Sequence, residues 1–339
     1  MQSFAENKSI ESPISGGVKR LLVCLDGSKC AEVGLEYATS VAKALCTEIT
    51  LLHIHESVSS GKHPTPVDTL GTAISKANSR KYLETVKEKL AKSGTKCDSI
   101  TAQGEVAEQI IRAGMAELGT MLVMSSHGEN GEMKWRLGST TQKVVSRLSS
   151  SVLVVRPESL DTPEKKKIKR VLLPLDASVR AECALPLAVG LAKAHDAELM
   201  LVHLALRPQM SIPMPTNRDD QELSRKLLDR NLYLADTYLR GIEQNQAAHQ
   251  KLSITRHVAE TTDVGQGIID LAEKEQADLI ILSAHGRTGN MSLPHGYLPH
   301  YLLSYCSKPI LVLQDLARST ENGTPTEDTP NRIPHARLI

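Results

Sequence analysis

The stretch KRLLVCLDGSKCAEVGLEYATSVAKALCTEITLLH, residues 19–53, lies without a gap over KRVLLPLDASVRAECALPLAVGLAKAHDAELMLVH, residues 169–203. In that register Lys19 meets Lys169, Asp26 meets Asp176, Ser28 meets Ser178 and His53 meets His203, an offset of 150. Further along the offset becomes 158. There SSHGENG (125–131) meets SAHGRTG (283–289), and VLVV (152–155) meets ILVL (310–313). Self-similarity over this span means a duplicated unit rather than one large domain. The step from 150 to 158 gives the second copy eight more residues, expected in the proline-rich stretch RPQMSIPMPTNRDD, 207–220.

Each copy alternates strand and helix. RLLVCL is an apolar run of strand length, Ser28 stands where a helix cap belongs, and AEVGLEYATSVAKAL carries helical apolar spacing. EITLLHIH is a second strand, residues 68–92 a long polar helix, CDSITAQ a third strand and VAEQIIRAGMAEL a third helix. TMLVMSS, GSTTQKVVSRLSS and SVLVV then give strand, helix and strand. Short strands separated by helices imply right-handed crossovers and a parallel sheet covered on both faces. The expected fold class is therefore α/β, with two tandem doubly wound, Rossmann-like, five-stranded domains at 18–156 and 168–314. PESLDTPEKKKIK is read as a linker (157–167), and 1–17 and 315–339 as disordered tails, because they hold little apolar content.

Composition narrows the function classes. The chain of 339 residues has 40 Lys and Arg against 39 Asp and Glu, a formal charge of +1, so nucleic acid or an anionic membrane is not expected as the main partner. Aromatic residues make up only 3%, too few for a base-stacking platform. Neither a signal peptide nor a membrane-length apolar run is present, which reads as a soluble, cytoplasmic chain. The six cysteines lie without a C-x-x-C pair and read as reduced structural thiols.

In an open parallel sheet, ligands bind beyond the carboxyl ends of the strands, where strand order reverses. Asp26 ends the first strand there. SSHG (125–128) ends the fourth, and the next helix begins at Gly138, Ser139 and Thr140. Gly128 is expected to allow a tight turn or positive φ, and Gly138 to let a ligand approach the main chain. Free N–H groups at that helix start, with the Ser139 and Thr140 hydroxyls, suit a phosphate. Asp26 suits ribose hydroxyls or a base. The plainer readings are a strand-to-helix turn for Asp26 and caps for Ser139 and Thr140. The insert ENGEMKWRL sets Glu129 and Glu132 against Lys134 and Arg136, so a polyphosphate would be neutralised by N–H groups and a companion Mg²⁺ or Mn²⁺ rather than by this insert. His127 and His285 either orient the loop or contact phosphate. His53 and His203 read as packed, hydrogen-bonded histidines, and His295, His300 and Tyr297 lack the carboxylate or ligand spacing of a metal site. Trp135 is expected to pack at the loop or against a partner.

At these residues the chain resembles the universal stress protein family in tandem form. The family's ATP-binding branch carries Gly, two residues, Gly, nine residues, Gly and then Ser or Thr after the fourth strand. Here Ser125, Gly128, Gly138 and Ser139 keep that spacing, with serine for the leading glycine. The resemblance implies an aspartate role for Asp26 and main chain near Leu52 and His53 facing adenine. In the second copy Ser283, Gly286 and Gly296 keep the spacing, but Tyr297 takes the hydroxyl position and Pro294 and Pro299 flank it. Its ring is expected to enter the space of a phosphate. Asp176, Ser283, His285, Gly286, Arg287 and Gly296 are left as a weaker second site. The resemblance further implies ATP or another adenine nucleotide in the first domain, occupancy signalled to an unidentified protein partner in a stress response, and fifth strands paired across an intrachain pseudo-twofold. A homodimer of whole chains is left open. The alternative is a non-nucleotide structural or protein-interaction module, favoured by Ser125, Ser283 and Tyr297. No G-x-x-x-x-G-K-[ST] loop or nucleophile and base set is found, so no catalytic residues are assigned and at most slow ATP hydrolysis is expected.

Overall fold

The computed structural model describes residues 17–55, 66–92, 94–128, 137–156, 168–207, 218–247, 252–287 and 293–315. The expected tails, the linker, Trp135 and the 129–136 insert fall outside the described residues, apart from Gly17 and Asp315. The first copy runs β1 (Arg20–Leu25), α1 (Lys29–Leu45), β2 (Glu48–His55), α2 (Pro66–Lys92), β3 (Cys97–Gln103), α3 (Val106–Met115), β4 (Thr120–Ser125), α4 (Ser139–Arg147) and β5 (Ser151–Val155). The second runs β6 (Arg170–Pro174), α5 (Val179–Glu182), α6 (Leu185–His195), β7 (Glu198–Leu206), α7 (Arg218–Ala247), β8 (Ile254–Thr261), α8 (Val264–Lys274), β9 (Leu279–Ser283), α9 (Tyr297–Tyr305) and β10 (Ile310–Leu313).

Local chemistry accounts for the elements. The Ser28 side chain accepts from Ala31 N at the start of α1, Glu32 lies in the first turn and Lys43 in the last, each on the favourable end of the helix dipole. Ala31, Leu35, Ala38, Val41, Ala42 and Leu45 form the buried stripe. The matching segment of the second copy is broken into α5 and α6, because Pro186 at the start of α6 has no N–H to continue the ladder and its ring collides with the carbonyl one turn back.

The ten strands form one sheet in the order β3-β2-β1-β4-β5-β10-β9-β6-β7-β8. Pairing is parallel within each copy, whereas β5 and β10 pair antiparallel, with Val154 opposite Ile310, Leu153 opposite Leu311 and Val152 opposite Val312. The intrachain pseudo-dimer is thus a continuous sheet. Its inner strands are buried throughout, as β4, β5, β9 and β10 are, while the outer β3 is largely half-exposed or exposed. Two apolar cores, one on each face, run across the β5/β10 seam. On one face α1 packs on α6; the other carries α3, α4, α8 and α9.

The eight extra residues do not sit together in 207–220. Helix α7 has 30 residues against 27 in α2, β7 has 9 against 8 in β2, β8 has 8 against 7 in β3, and the rest fall in the connecting loops. A solvated helix absorbs extra turns without disturbing the sheet register, so the insertion is legible as a total but not as a place. All six cysteines are free, and burial pushes the Cys24 thiol up to about 12 and Cys183 up to about 11.

Candidate nucleotide site at the switch point

Strand order reverses between β1 and β4 in the first copy and between β6 and β9 in the second. In the first, Asp26 follows β1 in a tight turn. Its Oδ1 accepts from Ser28 N at 2.9 Å, and Gly27 takes φ +89°. The second copy builds the same turn from Asp176, whose Oδ1 accepts from Ser178 N at 3.0 Å and Ser178 Oγ at 2.6 Å. Ala177 must then take φ +61°, where a side chain is strained.

The loop glycines work differently from the expectation. Gly128 does not hold positive φ; a Cβ on it would lie 2.6 Å from Asp26 Oδ2, so the residue is small because the carboxylate sits against the loop backbone. Gly286 stands in the same relation to Asp176, whose Oδ2 also accepts from Arg287 N at 2.6 Å. Positive φ occurs instead at Gly296, at +67°, where a Cβ would meet Ala284 O at 2.7 Å. Gly138 has φ −60°, donates its N–H to Ser126 O at 2.8 Å and leaves only 3.1 Å between a built Cβ and that oxygen.

Ser125 turns inward and its hydroxyl donates to His127 O at 2.7 Å; Ser283 makes the matching bond to His285 O at 2.5 Å. Serine at the leading position therefore ties the loop back on itself. His127 is buried and its Nδ1 shares a hydrogen bond with Ser126 Oγ at 3.0 Å, whereas His285 Nδ1 donates to Asp315 Oδ1 at 2.8 Å. Thr141, absent from the expected set, donates its hydroxyl to Ser125 O at 3.0 Å and fastens α4 to the end of β4. Only its place one turn into the helix could have signalled this. Gly138 is the N-cap of α4 and no side chain caps the helix, with exposed Ser139 and half-buried Thr140 in its first turn.

Leu52 pairs with Cys24 on one side and Ile100 on the other, and its side chain is buried, so it lies inside the sheet rather than at its rim. His53 is nearer the edge and its Nδ1–H donates to Leu25 O at 2.8 Å. β2 continues to His55, the last residue of EITLLHIH, as expected. That ring is buried beside His53, 5.2 Å between centroids, and burial pushes its pKa down. Burial likewise lowers His203.

In the second copy a cleft of about 370 Å³ is lined by Ser178, Val179, Arg180, Gly286 and Arg287. Tyr297 does not fill a phosphate space: the residue is 73% exposed, and its ring lies beside that of Tyr301, 6.3 Å between centroids. Pro299 occupies the position of Thr141 and is buried in the first turn of α9. His295 reaches across the seam. It is 1% exposed, with Nδ1 3.2 Å from Val145 O and Nε2 2.8 Å from Ser150 O, both in the first copy. Among the described residues no group of three or more His, Cys, Asp or Glu could hold a metal ion, and no helix is long and apolar enough to cross a membrane.

The model of the universal stress protein family matches residues 17–156 and again 167–314. A universal stress protein of Mycolicibacterium smegmatis is 22% identical over 304 residues, covering 87% of this chain and 96% of that protein. The universal stress protein YxiE of Bacillus subtilis is 30% identical over 146 residues, 40% of this chain and 98% of its own length. The crystal structure of a universal stress protein from Archaeoglobus fulgidus superposes with a TM-score of 0.60 at 20% identity, over 89% of this chain and 99% of that one. With its duplicated α/β unit matched twice by the family model, this chain belongs to the universal stress protein family as a tandem member.

Proposed function

We propose that the first copy binds an adenine nucleotide, ATP or a close relative, and that occupancy is signalled to a protein partner as part of a cytoplasmic stress response. The observation that carries this reading is the start of α4. A helix whose N-cap is Gly138 and which has no capping side chain begins beyond the carboxyl end of β4, where strand order reverses. The first N–H groups of a helix have no intrahelical acceptor, and the dipole favours an anion at that end. The nearby Asp26–Gly128 contact keeps a carboxylate at the same rim, suited to ribose hydroxyls. The hydroxyls and N–H groups at this helix start carry no full positive charge, so Mg²⁺ or Mn²⁺ would travel with the nucleotide and share its neutralisation with them. The residues assigned to the ligand are Asp26, Gly128, Gly138, Ser139 and Thr140, with His53 main chain toward the base. Ser125 and His127 shape the loop. No catalytic step is assigned.

The second copy supports a different reading, that of a non-nucleotide partner domain. Both oxygens of Asp176 already accept hydrogen bonds from Ser178 and Arg287, and His285 is held by Asp315. Small molecules released from the purified chain and identified by mass spectrometry, followed by calorimetric titration of the stripped protein with ATP and Mg²⁺, test both parts. One nucleotide per chain is expected. Gly138→Trp, checked for fold by circular dichroism, is expected to abolish the binding heat. Unchanged affinity in that variant, or two nucleotides per chain, would overturn the corresponding assignment.

A further inference from the structure

The duplication supplies an internal control for every surface position, and one face departs from it. On the first copy, α3 and α4 present a solvated, ion-paired face. Exposed Ser139, Lys143 and Arg147 line α4, with Lys143 donating to Glu105 at 3.4 Å and Arg147 held by both oxygens of Glu108. At the matching positions of α9, 158 residues later, stand Tyr297, Tyr301 and Tyr305. Their rings run along the helix with centroids 6.3 and 4.9 Å apart, and Tyr297 and Tyr305 are 73% and 53% exposed.

Two neighbours changed with them. Ala107 of α3 is replaced by Gly265 in α8, where a Cβ would lie 2.5 Å from the Tyr301 ring; the glycine makes room for the ring to lie against the α8 backbone. The Tyr301 hydroxyl donates to Gln266 Oε1 at 3.4 Å. The charges changed as well. Glu105 is matched by Asp263 and Arg112 by Asp270, both exposed, while the cations Lys143 and Arg147 have given way to tyrosines. The nearby Lys274 is drawn to Glu275 at 3.9 Å, and α9 carries no acidic or basic residue in its first or last turn. An aromatic stripe rimmed by carboxylates therefore replaces a face of paired carboxylates and cations.

We propose that this α8/α9 face is a docking surface for a basic segment of a partner protein, one that presents arginine or lysine at helical spacing to Tyr297, Tyr301 and Tyr305 and to Asp263 and Asp270. Cations are attracted to the faces of tyrosine rings, and tyrosine is enriched in the energetically dominant parts of interfaces. The incoming cations restore the charge that Lys143 and Arg147 supply within the first copy. The carboxylate rim repels a phosphate backbone, which separates this surface from a stacking platform for single-stranded nucleic acid. The inference is independent of nucleotide binding in the first copy.

The test uses the full chain and a helical peptide carrying arginine at every fourth position, with the citrulline version as the uncharged control. Calorimetry is expected to show binding of the arginine peptide that weakens with salt, and none of the citrulline peptide. Replacing Tyr297, Tyr301 and Tyr305 by Ser, Lys and Arg, the residues of the first copy, is expected to lower affinity about tenfold or more, because three ring faces are removed and two cations added. Asp263→Asn with Asp270→Asn, which keeps the tyrosines and a capping side chain at 263, is expected to weaken binding at low salt and flatten the salt dependence. No binding of the arginine peptide, equal binding of the citrulline peptide, or full affinity in the tyrosine replacement would overturn the proposal. So would sedimentation that shows a second copy of the chain, or a single-stranded oligonucleotide, held by this face instead.

Discussion

Asp26 and Asp176 occupy equivalent turns, yet the residues that follow them differ, and the difference has a measurable consequence. Gly27 takes φ +89° without penalty, whereas Ala177 takes φ +61° with a Cβ that crowds the neighbouring carbonyl. Ala177→Gly should raise the stability of the chain by roughly 0.5–1 kcal/mol, the relief of a strained backbone less the greater freedom of glycine in the unfolded state. Chemical denaturation of the two proteins checks this, with a shift in midpoint and no change in slope. The turn itself was legible, because aspartate before a small residue and a serine cap is a local pattern. The purpose of Gly128 was not. It answers a contact with Asp26 across about a hundred residues of chain, and no local spacing reports a through-space approach. The part played by Ser125 was not legible for a similar reason. It keeps the spacing of the pattern as a serine in place of the leading glycine, and only the folded loop shows its proton committed to His127 O.

Helices α4 and α9 hold the same place in the two copies and are secured differently. In α4 the hydroxyl of Thr141 reaches Ser125 O across a buried gap; in α9 Pro299 has neither that hydroxyl nor an N–H. Thr141→Val keeps the shape and removes the bond, leaving one carbonyl lone pair without its hydroxyl donor. It should cost about 1–2 kcal/mol in thermal or denaturant unfolding and weaken nucleotide binding by loosening the start of α4. Pro299→Thr at the matching place should have no comparable benefit, since α9 is positioned by its packing on α8. Strand limits such as those of β5, and helix limits such as Ser139 for α4, were legible because short apolar runs end at glycine, serine or proline. The direction of Tyr297 was not, because it follows from the ring of Tyr301 settling over Gly265, a contact between helices that lie far apart in sequence.

Across the whole molecule the two copies are joined by the β5/β10 ladder and by side chains that cross it. Arg156 donates to Leu303 O at 2.7 Å, Gln314 Nε2 to Ser149 O at 3.2 Å, and His295 reaches Val145 O and Ser150 O. Burial pushes His295 down from its ordinary pKa, as it does His55 and His203. A histidine lowered in the fold binds its proton more readily once unfolded, so its stabilisation is present above the ordinary imidazole value of about 6.5 and is lost as the pH falls below it. The urea midpoint should therefore drop between about pH 7.5 and 5.5. His295→Leu, which installs the residue of the first copy at this position, should make that dependence shallower. The seam also governs what the two halves are free to become. In a dimer of separate identical chains every substitution appears twice, and a sticky face must coexist with its own duplicate. Here one covalent chain supplies both halves in fixed one-to-one ratio, so a change such as Lys143 to Tyr301 is made once. The half with the Asp26 and α4 rim and the half with the aromatic face can diverge without either having to do the other's work.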